Sequence, residues 1–435
     1  MASISDVGNR GAETLALGFG TSVAMWFLAY LCRMPSAVVP AWLLAAGLLG
    51  CMLGGGFLAG RLSDRGWRAG LATGLLAAAI NLLVLGSLLG GSRPNQVVPS
   101  AVWWLPGSLL LGAVVGAAAA ALGSATRRQG AKSPSWSAVF AAVAAAATLL
   151  QLLVGGVVTG NAAGLAVVDW PNSFGYNMFL YPLSRMTGGV YYEHAHRLFG
   201  TLVGLTTLVL AVHLLRVERR LLVRRFALLA VLVVIVQGIL GGLRVTGTFT
   251  LSSSPEAMTP SIALAIVHGV LGPAFFGLMI VLAVLTSPTW TGERSPTNSS
   301  HAPADRTLAV MLVGIVLVQL ILGAVQRHLS RGLLVHITFA VVVLVMALVS
   351  GSRLWGLYRA QPILERLGKA LIVVGGVQVV LGFLAFFTVE ARVDAAPRAG
   401  WEVLLTTAHQ AGGSVLLACT VMAALWTRRL LVTSR

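Results

Sequence analysis

The sequence predicts an all-α integral membrane protein of about twelve transmembrane helices. The last eight are expected to form two tandem four-helix bundles with pseudo-two-fold symmetry along the membrane normal. Three observations carry this. The 435 residues are 57% hydrophobic and 10% charged, with a mean hydropathy of +0.88, outside the range of soluble domains. Twelve apolar stretches have spanning length, and none shows the alternation of a membrane strand. From the fifth stretch onward, a spaced pattern of Gln, Gly and His recurs.

In chain order the stretches lie near 14–32, 40–60, 69–90, 101–123, 138–159, 196–215, 226–246, 261–286, 308–326, 333–352, 369–389 and 403–426. The polar start, with Asp6 and Glu13, lacks the basic region and cleavage site of a signal peptide, so the first stretch reads as a true span. Residues 1–135 form an N-terminal four-helix module, read as having neither His nor a buried acid. Its small-residue pairs, Gly50 with Gly54 and Gly56 with Gly60, suit close helix packing. Packing or docking is the favoured role for it. A basic loop from Arg127 to Pro134 marks its end. Residues 136–290 make the first four-helix unit and 307–435 the second. Between them, 291–306, with Ser295-Pro296-Thr297-Asn298-Ser299-Ser300, reads as a flexible cytoplasmic linker.

The net charge of +17 is distributed by topology. Of 30 Lys and Arg, 21 fall on the side that holds both termini and 9 on the other, which predicts cytoplasmic termini. The run Arg216-Val217-Glu218-Arg219-Arg220 is the strongest anchor and suits lipid headgroups, not nucleic acid. Cys32, Cys51 and Cys419 lie in or at the ends of apolar stretches without metal-ligand spacing.

The repeat locates the chemistry. Odd-numbered helices carry Gln followed at the fourth position by Gly: Gln151 and Gly155, Gln237 and Gly241, Gln319 and Gly323, Gln378 and Gly382. Each following helix carries one His of the set His196, His268, His336 and His409. Between the two units the offsets are 168 for the first Gln, then 140, 141 and 141, so the first unit has an excess of 28 residues in its outer 5-6 loop. An imidazole within hydrocarbon is costly, and four repeated ones argue for function. His268 and His409 stand about 10 Å into their helices by the 1.5 Å rise, and all four are expected toward the outer side. Two imidazoles facing each other without a carboxylate or thiolate suit the axial positions of a porphyrin iron. The glycines admit either a close backbone or a flat macrocycle. Arg244 and Arg327 close helices 7 and 9 on the outer side, where pairing with porphyrin propionates and interfacial snorkelling both fit.

Charges are scarce, so Tyr192-Glu193-His194-Ala195-His196-Arg197-Leu198-Phe199-Gly200 stands out. Glu193 is a candidate proton carrier, with a helix N-terminal charge as the alternative. Glu193 and His196, three apart, share a helical face. The second unit has Leu333-Leu334-Val335 before its His336, with no carboxylate there. One half reads as reactive and the other as a holder.

These passages, with Val154-Gly155-Gly156-Val157-Val158-Thr159 leading into Asp169-Trp170-Pro171, Gln237 to Thr246, and Ala408-His409-Gln410, resemble the heme A synthases over about 300 residues. The resemblance implies oxidation of a heme O methyl group to a formyl group, giving heme A for terminal oxidases. It implies that His336 and His409 ligate a resident heme b, that His196 and His268 bracket the substrate heme O, and that Glu193 is the acid required for turnover. Arg197, Arg244 and Arg327 are the candidate propionate contacts. Many members of that family have a cysteine pair in the outer loops; here Val167-Val168 precedes Asp169, and the chain would be of the cysteine-free kind. The four N-terminal helices lie outside the family core.

The expected setting is a bacterial-type plasma membrane, with heme sites toward the outer side. The expected partners are heme O, an electron donor and lipid. Heme O synthase, oxidase assembly factors and a second copy of the chain are further candidates, and nucleic acid is not expected. Two rival functions remain at this level: a di-heme electron-transfer cytochrome and a heme transporter or chaperone.

Overall fold

The computed structural model describes residues 4–37, 39–128, 130, 133–248, 259–390 and 398–433. Among them are twelve helices long and apolar enough to cross a membrane: α1 (Ile4–Arg33), α2 (Ala41–Leu62), α3 (Trp67–Leu89), α4 (Ala101–Ala125), α5 (Trp136–Gly160), α6 (Gly188–Val217), α7 (Leu221–Thr246), α8 (Ile262–Thr286), α9 (Ala302–Leu329), α10 (Leu333–Leu357), α11 (Pro362–Glu390) and α12 (Gly400–Leu430). All twelve expected spans are present. Several helices begin before their apolar stretches, α6 by two turns, because a hydropathy window stops at the polar residues that cap or line a helix end. Glu193 and His194, which precede the sixth apolar stretch, therefore sit inside α6 with Arg197.

The two units share one plan. In the first, α5 packs on α6 and α8, and α7 completes the ring by packing on the same two; α9 to α12 repeat this order. The units meet where α12 lies against α5 and α8, and α9 against α8. Paired glycines set that interface. A Cβ at Gly156 would stand 2.8 Å from the Thr407 side chain, and one at Gly160 2.6 Å from that of Val403. Only glycine lets α5 lie this close to α12.

The N-terminal helices pack by the same device. A Cβ at Gly56 would lie 2.7 Å from the Gly116 carbonyl, and one at Gly112 2.6 Å from that of Gly74. Of the two small-residue pairs expected to pack, Gly56 and Gly60 do, against α4, whereas Gly50 and Gly54 meet nothing within 4 Å. The helix turns those two positions outward. The module does contain a buried acid, contrary to expectation: Glu13 is 4% exposed and pairs with Arg65 at 3.6 Å. It escaped notice because it lies at the polar start of α1, which the fold covers with the α2–α3 turn.

The segment between the units is not a free linker. Thr297 and Asn298 pair in parallel with Leu431 and Val432. Gln361 donates to the Ser295 carbonyl and to Thr297, and Arg429 lies over the Trp290 ring at 4.8 Å. The last residues of 291–306 already belong to α9. Ser, Pro and Asn suggested flexibility, but the backbone groups of this stretch find fixed partners in the chain's end.

A duplicated histidine cradle and its one-sided roof

The face opposite the chain termini, termed distal, holds all four repeat histidines. Each is held by the helix before it in the same way. Gln151, Gln237, Gln319 and Gln378 donate through Nε2 to the backbone carbonyls of His196, His268, His336 and His409, at 3.1, 2.9, 3.0 and 2.8 Å. The Nδ1 edge of every imidazole faces that same glutamine: 3.1, 3.1 and 3.2 Å to Nε2 for His196, His336 and His409, and 3.2 Å to the backbone carbonyl of Gln237 for His268. All four glutamine Oε1 atoms are buried without a partner.

The glycine four residues on completes the cradle. A Cβ at Gly155, Gly241, Gly323 or Gly382 would lie 2.9, 3.0, 3.1 or 3.1 Å from Cε1 of its histidine. The close approach that these glycines permit is therefore to the imidazole ring itself. A residue four positions after Gln lies one turn away on the same helical face, so one residue tethers the histidine and the other makes room for it.

The cradles bring the histidines together in pairs. The ring centres of His196 and His268 are 6.3 Å apart with planes at 79°, and those of His336 and His409 are 6.3 Å apart at 88°. A metal–imidazole bond is about 2 Å, so two coaxial ligand nitrogens stand about 4 Å apart. The ring centres lie beyond them by one ring radius each, close to the spacing seen. The contact of His268 Nδ1 with the Gln237 carbonyl has the sense that a ligating histidine requires, its far ring N–H donating to an acceptor.

The two pairs differ in what lies above them. Residues 161–187, where the 28-residue excess of the first unit was read, fold over the distal end of α6 and α7. Arg197 is their anchor. Its Nη1 donates to the carbonyls of Asp169 at 2.6 Å and Asn172 at 3.0 Å, its Nη2 to that of Val167 at 2.9 Å, and its Nε to Glu193 Oε1 at 3.3 Å. Asp169, 1% exposed, accepts from the amides of Phe174 and Gly175, both in the left-handed region, and so fixes the turn. Trp170, in a cis Trp170–Pro171 unit, packs on Gly242, next to the glycine that cradles His268. Ser173 bonds Nδ1 of His194, which is 0% exposed. Above His336 there is no counterpart among the described residues: Leu334 is 79% exposed and Val335 56%.

Glu193 is 5% exposed, and its Oε2 is buried without a partner while Oε1 pairs with Arg197. The carboxylate thus turns to position i+4, where an arginine stands, although it shares a helical face with His196. Arg244 lies against Gly164 of the roof and within electrostatic range of His196, His268 and His328. Arg327 and Arg398 form a second basic group at the distal end of the other unit. His328 leans toward α8, with Nε2 3.8 Å from the β position of Gly269. His213 bonds Ser137 at the other end of α6 and belongs to neither pair.

Sequence reasoning named Trp170 only within the motif Asp169-Trp170-Pro171, and missed Ser173 and the role of Arg197 as roof anchor. Carbonyl acceptors carry no residue signature, so only the excess length of the loop pointed to them.

No match to the chain was found among curated proteins. Residues 174–338, from the roof through both helices of the first histidine pair to His336, match the COX15-CtaA family, described as cytochrome oxidase assembly protein. Over this segment the chain therefore carries the pattern of that family, the heme A synthase family that its motifs resemble.

Proposed function

We propose that this protein oxidises a methyl group of heme O to a formyl group, making heme A for a terminal oxidase. The observation that carries the reading is a duplicated bis-histidine site in which, among the described residues, the first copy places a buried carboxylate with an unpartnered oxygen, Glu193 Oε2, three residues before its histidine, where the second copy has Leu333 before His336. The second pair, His336 and His409, would hold a resident heme b; the first, His196 and His268, would bracket the substrate. The residues suit such groups, because four oriented imidazoles stand in two pairs 6.3 Å apart between ring centres. A bound heme would supply the redox chemistry.

What the chain supplies is position, exclusion of water and a proton acceptor. The Gln–Gly cradles fix the imidazole planes. The roof keeps bulk water from the first pair. Glu193 Oε2 is placed to take a proton, as Oε1 is already held by Arg197. Conversion of methyl to formyl removes carbon-bound hydrogen and inserts oxygen; the oxidant comes from outside the chain, and a carboxylate with one free oxygen can carry protons to or from the site. Arg244 and Arg327 suit propionate carboxylates. Arg197 suits them less, since Nε, Nη1 and Nη2 are already engaged by Glu193 and the roof. In a bacterial-type plasma membrane with cytoplasmic termini, the distal face would be the outer one. Electrons would come from a donor outside the chain.

The test is pigment extraction from membranes that express the chain beside a source of heme O. Formyl heme is expected. A bis-imidazole spectrum without formyl heme would favour an electron-transfer cytochrome instead, and release of unchanged heme O would favour a carrier.

A further inference from the structure

The four N-terminal helices have no part in either histidine pair, yet they are tied to one of them. α1 packs on α5 and α6. Tyr191, three residues from His194, donates through its hydroxyl to the Tyr30 carbonyl at 2.7 Å, and its ring stacks on Tyr30 with centres 5.8 Å apart. Trp26 meets Phe199 edge-on at 5.9 Å. These contacts hold the helix that bears Glu193 and His196.

The α3–α4 turn reaches further, onto the roof. The Tyr176 hydroxyl donates to the Ser92 carbonyl at 2.9 Å, and the Asn177 amide to Asn95 Oδ1 at 2.8 Å. Arg185 donates to the same Ser92 carbonyl at 3.4 Å. Asn95 takes a φ of 61°, a left-handed turn that aims its side chain outward. Gly86 on α3 and Gly90, which caps it, lie against the carbonyls of Phe179 and Leu180, so close that any Cβ there would collide with them. The roof is therefore gripped on its inner edge by Arg197, Gly242 and His194, and on its outer edge by α3. Among the described residues, the second unit has neither a roof nor a helix packed in the place of α1.

We propose that the N-terminal module is a brace: it locks residues 161–187 as a seal over the first histidine pair, so that this site alone is closed to the aqueous phase on the distal side. The brace explains why four helices accompany only one of two similar units. It needs no ligand of its own. Loop closure by many contacts, none of them to the four repeat histidines, is a device for holding a seal without altering the site beneath.

The test uses the full chain with its two partly exposed native cysteines removed by Cys32→Ser and Cys51→Ser, and a reporter in the roof at Val167→Cys, a position 0% exposed. Labelling by a membrane-impermeant maleimide is followed in Gly86→Val, which wedges α3 off the roof, and in Asn95→Ala with Tyr176→Phe, which removes two roof hydrogen bonds and adds no bulk. The brace predicts slow labelling in the reporter background and at least tenfold faster labelling in both variants. Elution of the detergent-solubilised protein should be unchanged. If the wedge variant does not fold, the hydrogen-bond variant decides. An unchanged labelling rate in a folded variant overturns the proposal, as does rapid labelling of the unaltered brace. The readout requires no heme, so it succeeds or fails independently of the oxidation reading.

Discussion

The first and second four-helix units hold their histidines with the same parts. Gln151 and Gly155 do for His196 what Gln319 and Gly323 do for His336, and the ring spacing agrees at 6.3 Å in both pairs. They part company immediately outside the cradle. Among the described residues, the first has a buried carboxylate three residues before its histidine, a guanidinium spent on loop carbonyls, a roof and a brace; the second has Leu333 at that place, with an exposed leucine and valine beside it. A duplicated scaffold can thus keep its ligand geometry while one copy acquires the surroundings that reactivity demands and the other stays a simple holder.

Substitutions can break this comparison, and the largest effects are expected at the cradles. Replacing His336 or His409 by Ala should abolish resident heme in the absorption spectrum, whereas replacing His196 or His268 should leave that spectrum in place. Loss of the resident spectrum on substitution at the first pair would reverse the assignment of the two units. Next comes the carboxylate. Glu193→Gln should lower formyl heme production by about 10² or more, the range for a positioned acid–base group, with resident heme intact; turnover at the parent rate would end the case for Glu193.

Arg197→Leu should be costly for a different reason. It leaves Glu193 buried without its partner, a loss of about 3–5 kcal/mol, and releases carbonyls of the roof. Thermal unfolding of this variant should fall well below that of Glu193→Gln, and equal midpoints would show that the roof does not depend on the arginine. In the second unit, Gln319→Leu removes the tether of His336 and should weaken resident heme by about 10- to 100-fold, as outer-shell changes do, measured by heme titration. Gln151→Leu should leave that titration unchanged.

The smallest effect is expected at the face that holds the termini. There Tyr358 donates to Asp305, which also pairs with Arg353. Burial, and then Asp305, push the Tyr358 phenol from 10.0 up to about 12. A raised folded value means that this hydrogen bond contributes fully below pH 10 and is lost as pH rises toward about 12. Tyr358→Phe should cost about 1 kcal/mol and flatten the alkaline limb of stability between those values. An unaltered limb would place the titrating group elsewhere.

Much of this was legible in the sequence, for reasons that lie in hydrocarbon itself. A chain that must satisfy its backbone in lipid becomes helical wherever it is apolar for long enough, so twelve spans could be read directly. Polar residues are expensive there, so Gln, His and Glu193 announced themselves by being present at all. Spacing near 140 residues revealed the duplication, and the excess of 28 located the insertion. What tertiary structure alone decided is which groups meet. That Gln grips the histidine carbonyl, that Gly155 makes room for a ring while Gly156 makes room for α12, and that Arg197 turns to three loop carbonyls all depend on how separate helices and a loop come together. Backbone acceptors and the open side of a glycine leave no mark in a sequence, because every residue has the one and the other is an absence of atoms.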